Sequence, residues 1–196
     1  MHRVVGKHRF IKARVGIVCV ATLFSFTIPL HADSGAEELT YRGFTTPFVI
    51  DFPVTHESRV IDAPNSQIAS VYVFTGQVPR HGLTYAVTVA RFAANSAPLN
   101  NRQARLLVEQ NLRSQIEQVD QAMGTNSEVR RLVPSDIGTS PARSYLALRS
   151  SDPITFGRYL SFVHDRMLVS VWASGLDTVD NRERAADFLS SVEVTH

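Results

Sequence analysis

The stretch NNRQARLLVEQNLRSQIEQVDQAMG, residues 100–124, decides the fold because it predicts the longest helix of the chain. Apolar side chains recur in it at spacings of three and four residues, the repeat of an amphipathic helix that buries one face. Asn100 and Gln103 match a capping box, and Gly124 is placed to end the helix. The apolar stripe consists of Ala104, Val108, Leu112, Ile116, Val119 and Met123, with Arg102, Arg105, Glu109, Arg113 and Glu117 outside it.

One predicted hairpin precedes this helix in the sequence, and a second follows it. Residues 68–74 and 83–92 are rich in β-branched and aromatic side chains and are separated by glycine and proline. They predict an antiparallel hairpin with a long loop. Residues 159–163 and 167–173 predict a second hairpin, which turns at His164-Asp165.

Shorter elements complete the predicted architecture. Hairpins outnumber strand-helix-strand units, so the sequence predicts an α+β class. It would be a mostly antiparallel sheet with one long and one short C-terminal helix packed on it. The shorter elements are an edge strand at residues 48–52, strands at 128–133, 142–148 and 191–195, and a helix at 181–189 capped by Asp180 and Glu183.

The N-terminus has the pattern of a secretory signal. Five basic residues and no acid occur within residues 1–14, and residues 15–30 carry no charge. At about 1.5 Å per residue this run is shorter than the hydrocarbon core of about 30 Å. We expect cleavage after Ala32, with an uncleaved anchor as the alternative. Residues 33–47 would then form a flexible tether, and residues 48–196 a single α+β domain.

Two residue types are confined to the signal. Cys19 is the only cysteine, and Lys7 and Lys12 are the only lysines. The mature chain therefore has no disulfide, no thiolate nucleophile, no cysteine-ligated zinc and no Schiff-base lysine.

The mature chain is slightly acidic. From residue 33 onward it has 15 arginines against 18 acidic residues, a net charge of −3. The arginines are scattered in sequence, and only Arg130 and Arg131 are adjacent. This pattern lacks the basic patch of a nucleic-acid binder, so no nucleic-acid partner is expected.

Residues able to carry chemistry do not form a recognised motif. The chain has no HExxH, GxSxG, SxxK or glycine-rich phosphate loop. The acidic stretch at residues 177–183 offers oxygen ligands, but helix capping and the helix dipole account for Asp180 and Glu183. We therefore assign no catalytic, cofactor-binding or metal residue. An enzyme would be favoured if three of the following met in one concave pocket: His56, His81, His164, Asp51, Asp62 and Asp165.

Aromatic residues are concentrated on the predicted strands. Their alternating positions favour core and cross-strand packing. The alternative is that part of the set lines an exposed groove for a peptide or lipid. The set comprises Tyr72, Phe74, Tyr85, Phe92, Tyr145, Tyr159, Phe162 and Trp172.

The C-terminal half resembles small exported bacterial proteins of the PsbP/Mog1-like α/β/α class. Ile137-Gly138-x-Ser140-x-Ala142-Arg143 precedes a strand, and Arg158-Tyr159-Leu160 pairs with residues 166–171. Ala185-Ala186-x-Phe188-Leu189-Ser190-Ser191 closes the domain. The chain departs from the class in lacking glycine at the His164-Asp165 turn. The resemblance implies the fold and an accessory or binding role without catalysis, and it carries over no site residue.

These observations predict a non-enzymatic accessory or binding protein that is periplasmic or secreted. It would bind another envelope protein or a surface ligand, and it would need no cofactor. Membrane attachment is expected only if the signal is uncleaved, and the oligomeric state stays open. The alternative is a periplasmic or secreted hydrolase or metal-dependent enzyme that uses scattered His, Asp and Ser residues.

Overall fold

The computed structural model describes residues 36–41, 43–62, 67–132 and 137–195. The predicted signal, residues 1–32, lies outside them. The strands are β1 (Glu37–Tyr41), β2 (Phe44–Ile50), β3 (Glu57–Asp62), β4 (Ile68–Val78), β5 (Leu83–Phe92), β6 (Ser127–Leu132), β7 (Ala142–Arg149), β8 (Thr155–His164), β9 (Met167–Leu176) and β10 (Glu193–Val194). The helices are α1 (Asn101–Met123) and α2 (Val179–Ser190), and a 3-10 turn (Pro79–His81) joins β4 to β5.

A seven-stranded antiparallel sheet in the order β3-β4-β5-β9-β8-β7-β6 forms the centre of the fold. Helix α1 packs over β7 and β8, and α2 packs over β8 and β9. A small sheet in the order β1-β2-β10 lies on the same side as α2, and its Phe48 ring contacts Phe162 of β8. The predicted α+β class, with two helices on a mostly antiparallel sheet, is confirmed. Neither helix in the described ranges has the length and apolar character to cross a membrane.

The main sheet buries both of its faces, which we name the α1 face and the α2 face. Side chains alternate between the two faces along each strand, as the period of two requires. In β5, Val87 and Val89 contribute to the α2-face core, whereas Ala90 packs in the α1-face core. The β5 side chains on the α1 face, Ala86, Thr88 and Ala90, are small.

Helix α1 begins and ends as the sequence predicts. Asn100 Oδ1 accepts a hydrogen bond from the Gln103 amide, and Gln103 Oε1 accepts one from the Asn100 amide, both at 2.9 Å. Gly124 closes the helix at φ +63°, in the left-handed region that favours glycine. The predicted stripe is buried from Ala104 to Ile116, but Met123 is exposed.

The segment predicted as a flexible tether differs from that expectation. Residues 37–41 and 44–50 form β1 and β2, which pair with each other. Leu39 and Phe44 are buried in the α2-face core. Composition and period do not show these strands, because they are stabilised by packing against a sheet that lies far away in sequence.

Three local predictions are also corrected. Of the strand predicted at the edge, residues 48–52, residues 48–50 belong to β2, which is the middle strand of the small sheet, and residues 51–52 follow it. Helix α2 begins at Thr178, whose Oγ1 accepts the Asn181 amide at 3.2 Å, so Asp180 is not its cap. The β8–β9 turn is made by Asp165 and Arg166, which adopt positive φ values of 43° and 61° without glycine.

A buried ion pair joins α1 to the sheet. Arg149 of β7 is 0% exposed, and its Nε donates to Asp120 Oδ1 on α1 at 3.1 Å. The Tyr159 hydroxyl accepts a further hydrogen bond from Arg149. Asp120 also accepts the backbone amide and the hydroxyl of Ser127, at 2.9 and 2.7 Å, so it fixes the start of β6 as well.

Gly157 on β8 makes room for this cluster. A Cβ atom at this position would lie 2.6 Å from Oη of Tyr159, closer than real Cβ contacts. Glycine therefore allows the Tyr159 ring to lie against its own strand and to reach Arg149.

We predict that Asp120→Asn lowers the free energy of unfolding by about 3 to 5 kcal/mol, because it leaves the Arg149 charge buried without its counter-charge. Urea unfolding followed by tryptophan fluorescence measures this change. Glu117→Gln removes the same charge from an exposed position on the same helix and should change stability by less than about 0.5 kcal/mol. Equal effects of the two substitutions would contradict the role of the ion pair.

Candidate anion-binding site

Arginine side chains from α1, β6 and β7 converge at one concave surface. The cleft has a volume of about 450 Å³. We call it the arginine pocket, and it is lined by Arg102, Arg105, Leu106, Glu109, Arg131 and Arg143.

Helical spacing places the α1 residues together. Arg102 lies three and four residues before Arg105 and Leu106, and these two lie four and three residues before Glu109, intervals that make neighbours on a helix surface. Their stripe lies beside the buried stripe of α1, so it faces the rim where the helix meets the sheet. Leu106 is 54% exposed and contributes an apolar wall.

Strands β6 and β7 form the opposite side of the pocket, because alternate side chains of a strand point to the same face. Arg131 on β6 lies directly across from Tyr145 on β7, and Tyr145 packs in the α1-face core. Arg143 precedes Tyr145 by two residues and therefore shares this face. Arg130 is opposite Leu146, which contacts the α2-face core, so Arg130 points away from the pocket.

Glu109 lies in the pocket lining and contacts several of the surrounding side chains. Its carboxylate accepts hydrogen bonds from the Tyr145 hydroxyl and, at 3.0 Å, from Arg113 Nε. Partial burial alone would raise the pKa of Glu109, but these two hydrogen bonds and the charges of Arg113 and Arg131 outweigh it, so the pKa lies below its ordinary value. Burial, and then the Glu109 carboxylate, raise the pKa of Tyr145, which stays a donor. Arg143 is 14% exposed and lies 4.0 Å from Glu109.

The arrangement is suited to binding an anion. The lining contains four guanidinium groups and one carboxylate, so the pocket is positive although residues 33–196 carry a net charge of −3. Guanidinium forks bind carboxylate and phosphate groups through paired hydrogen bonds. No ion pair of Arg102 or Arg131 occurs among the described residues, although the charge of Arg131 acts on Glu109.

Sequence reasoning missed this site. It treated the arginines as scattered, whereas the fold brings together positions 102, 105, 131 and 143. The one local signal was the pair Arg102 and Arg105 on the polar side of the predicted helix. That pair alone does not distinguish a solvated helix face from half of a pocket.

The three candidate histidines each lie beside a different carboxylate. His56 Nδ1 is 3.7 Å from Glu37 Oε1, and His81 Nδ1 is 3.8 Å from Asp180 Oδ2. No group of three metal-ligating side chains occurs among the residues that the structure describes. In the acidic stretch, Asp177 pairs with Arg182 and Asp180 with Arg184.

His164 forms a contact that resembles a catalytic arrangement. Its Nδ1 lies 2.9 Å from Ser140 Oγ, and its Nε2 lies 3.3 Å from Asp165 Oδ2. Ser140 is 4% exposed and exchanges backbone hydrogen bonds with Ile137. The contact therefore ties the 137–141 turn to the β8–β9 hairpin.

The aromatic residues serve mainly as core. Phe74, Tyr85, Tyr145, Tyr159 and Phe162 are buried, and the other three pack at the margins of the two cores.

Comparison with solved structures finds chains of similar fold. No family model and no curated protein matches the chain. The solution structure of cyanobacterial PsbP from Synechocystis sp. PCC 6803 is similar to it, with 9% sequence identity and a TM-score of 0.46. The match covers 87% of this chain and 98% of that one. At this level of similarity it is a likeness of fold.

We predict that His56 makes stability depend on pH. Its ring packs against Phe52 and Phe74, and burial, opposed by Glu37, lowers its pKa from the ordinary 6.5. Between the lowered pKa of the folded state and 6.5, the unfolded chain therefore binds a proton that the folded chain does not, and the free energy of unfolding falls as pH falls through this window.

The His56→Gln variant should show a smaller loss of stability than the wild type between pH 7.5 and 5.5. Urea unfolding at a series of pH values measures both slopes. Carboxylates are common to the two proteins, so their contribution cancels in the difference. Identical slopes would show that His56 has the same pKa in both states.

Proposed function

We propose that this chain is an exported, non-enzymatic binding protein of the bacterial envelope. It binds an anionic partner, either an acidic protein segment or a surface ligand, in the arginine pocket. The observation that supports this function is the convergence of Arg102, Arg105, Arg131 and Arg143 around the charged Glu109.

The charge distribution supports a recognition role. The chain beyond residue 32 is net negative, so like-charge repulsion disfavours non-specific association with acidic molecules. A local cluster of four arginines instead attracts an anion to one place on the surface. Arginine stays charged at any physiological pH, so this attraction does not depend on a titration.

A serine hydrolase is the second candidate function, favoured by the Ser140–His164 contact. In a serine triad the imidazole contacts the serine through Nε2 and the acid through Nδ1. His164 has the reverse arrangement, and its serine is buried. Labelling of Ser140 by a fluorophosphonate would support this candidate, and its absence would leave the contact a structural one.

Export is tested by N-terminal sequencing. We predict that protein isolated from the envelope or medium fraction begins at Asp33, because cleavage after Ala32 places a small residue at the cleavage site. A chain that still carries residues 1–32 and stays with the membrane fraction would instead establish the anchor.

The pocket is tested by photo-cross-linking in cells. We predict that p-benzoylphenylalanine in place of Leu106 gives a discrete adduct, since this side chain lines the pocket and is exposed. Replacing Arg102 and Arg131 with glutamine should reduce the adduct about tenfold, the effect of about 1.4 kcal/mol of lost binding. Western blotting of the tagged protein measures the yield.

Two matched controls belong to this experiment. Arg130→Gln removes the same charge from the neighbouring residue, which points to the other face, and should leave the adduct in place. The same cross-linker in place of Val179, 75% exposed on α2, should not give that adduct. An adduct that is independent of Arg102 and Arg131 would contradict the proposed function.

A further inference from the structure

Strand β6 forms one edge of the main sheet. It pairs with β7 on one side, and no described strand pairs with its other side. Residues 128–131 are all exposed. In an antiparallel pair, alternate backbone amide and carbonyl groups of an edge strand point outward, where another strand can bind them.

The side chains of β6 lead directly into the arginine pocket. Val129 lies across from Ala147, which packs in the α1-face core, so Val129 and Arg131 share the face that the pocket occupies. Val129 is 45% exposed, and Arg131 lines the pocket. Along this edge the apolar side chain of Val129 is therefore followed, two residues later, by the basic side chain of Arg131.

We propose that an extended acidic segment of a partner protein adds to β6 as an eighth strand of the main sheet. This inference rests on the proposed function and gives the chemistry of the partner. Acidic side chains on the α1 face of the added strand would enter the pocket and bind Arg131 and Arg102. An apolar side chain on the same face would cover Val129, because residues directly across from each other in paired strands make side-chain contact.

Charge distinguishes this edge from the opposite one. Strand β6 carries two arginines and one glutamate, and Glu128 pairs with Arg130 at 2.9 Å on the face away from the pocket. Arg131 is thus the basic side chain of β6 that faces an incoming strand on the pocket side. The other edge strand, β3, carries Glu57, Arg59 and Asp62 in sequence, which does not favour an acidic strand.

The peptide Ac-TETVTET-NH2 is a suitable probe because it alternates threonine with glutamate and valine. When the peptide is extended, glutamate and valine lie on one face. Three peptides would be titrated to about 5 mM, a range that detects millimolar binding. The first is Ac-TETVTET-NH2, the second is TQTVTQT, which carries no charge, and the third is TETVTET with N-methylated backbone amides. The protein is the exported chain, followed by NMR and by hydrogen exchange of β6 amides.

We expect the glutamate peptide to bind and to slow exchange in β6. Both control peptides should bind about tenfold more weakly or not at all, since one lacks the charge and the other the backbone donors. Arg131→Gln should weaken binding to a similar degree, and Arg130→Gln should not. No binding of the glutamate peptide would overturn strand addition.

The outcomes separate this inference from the proposed function. Equal, arginine-dependent binding of the glutamate peptide and its N-methylated form would overturn strand addition and leave the pocket as an anion site. An arginine-dependent adduct at Leu106, combined with no peptide binding, would also overturn strand addition and support the proposed function. If the adduct does not depend on the arginines, the proposed function itself is wrong.

Discussion

The buried ion pair between Arg149 and Asp120 is the constraint on which the rest of the structure depends. A fully buried guanidinium without its carboxylate would cost several kcal/mol, so the pair permits little sliding of α1 along β7. Because Asp120 also binds Ser127, the same carboxylate sets where β6 begins. One interaction thereby positions the helix, the strand it covers and the edge strand beside it.

A second polar contact repeats this attachment eleven residues earlier in the helix, at Glu109. The hydrogen bond from Tyr145 to Glu109 joins α1 to β7 near its start. The two contacts together fix the position of α1 along β7 and the rotation of α1 about its own axis. The arginine pocket follows from this geometry, since its two walls are the helix and the paired strands that these contacts hold.

The pocket concentrates like charges, and the fold offsets part of their repulsion. Glu109 stays ionised because Tyr145 and Arg113 hydrogen-bond to it, and it lies beside Arg143. Arginines outnumber carboxylates in the pocket lining by four to one, so a bound anion would reduce repulsion as well as add hydrogen bonds. Because of this excess of positive charge, we interpret the cluster as a candidate binding site and not as a solvated helix face.

The amino-acid sequence by itself determined α1 with both of its caps, the two hairpins and the α+β class. These features depend on side-chain period and on capping residues that are close together in the chain. Only the tertiary structure decided that residues 37–50 form strands and that arginines from α1, β6 and β7 share one pocket. Strand pairing and convergence depend on contacts between distant segments, and local pattern carries no information about which distant surfaces will meet.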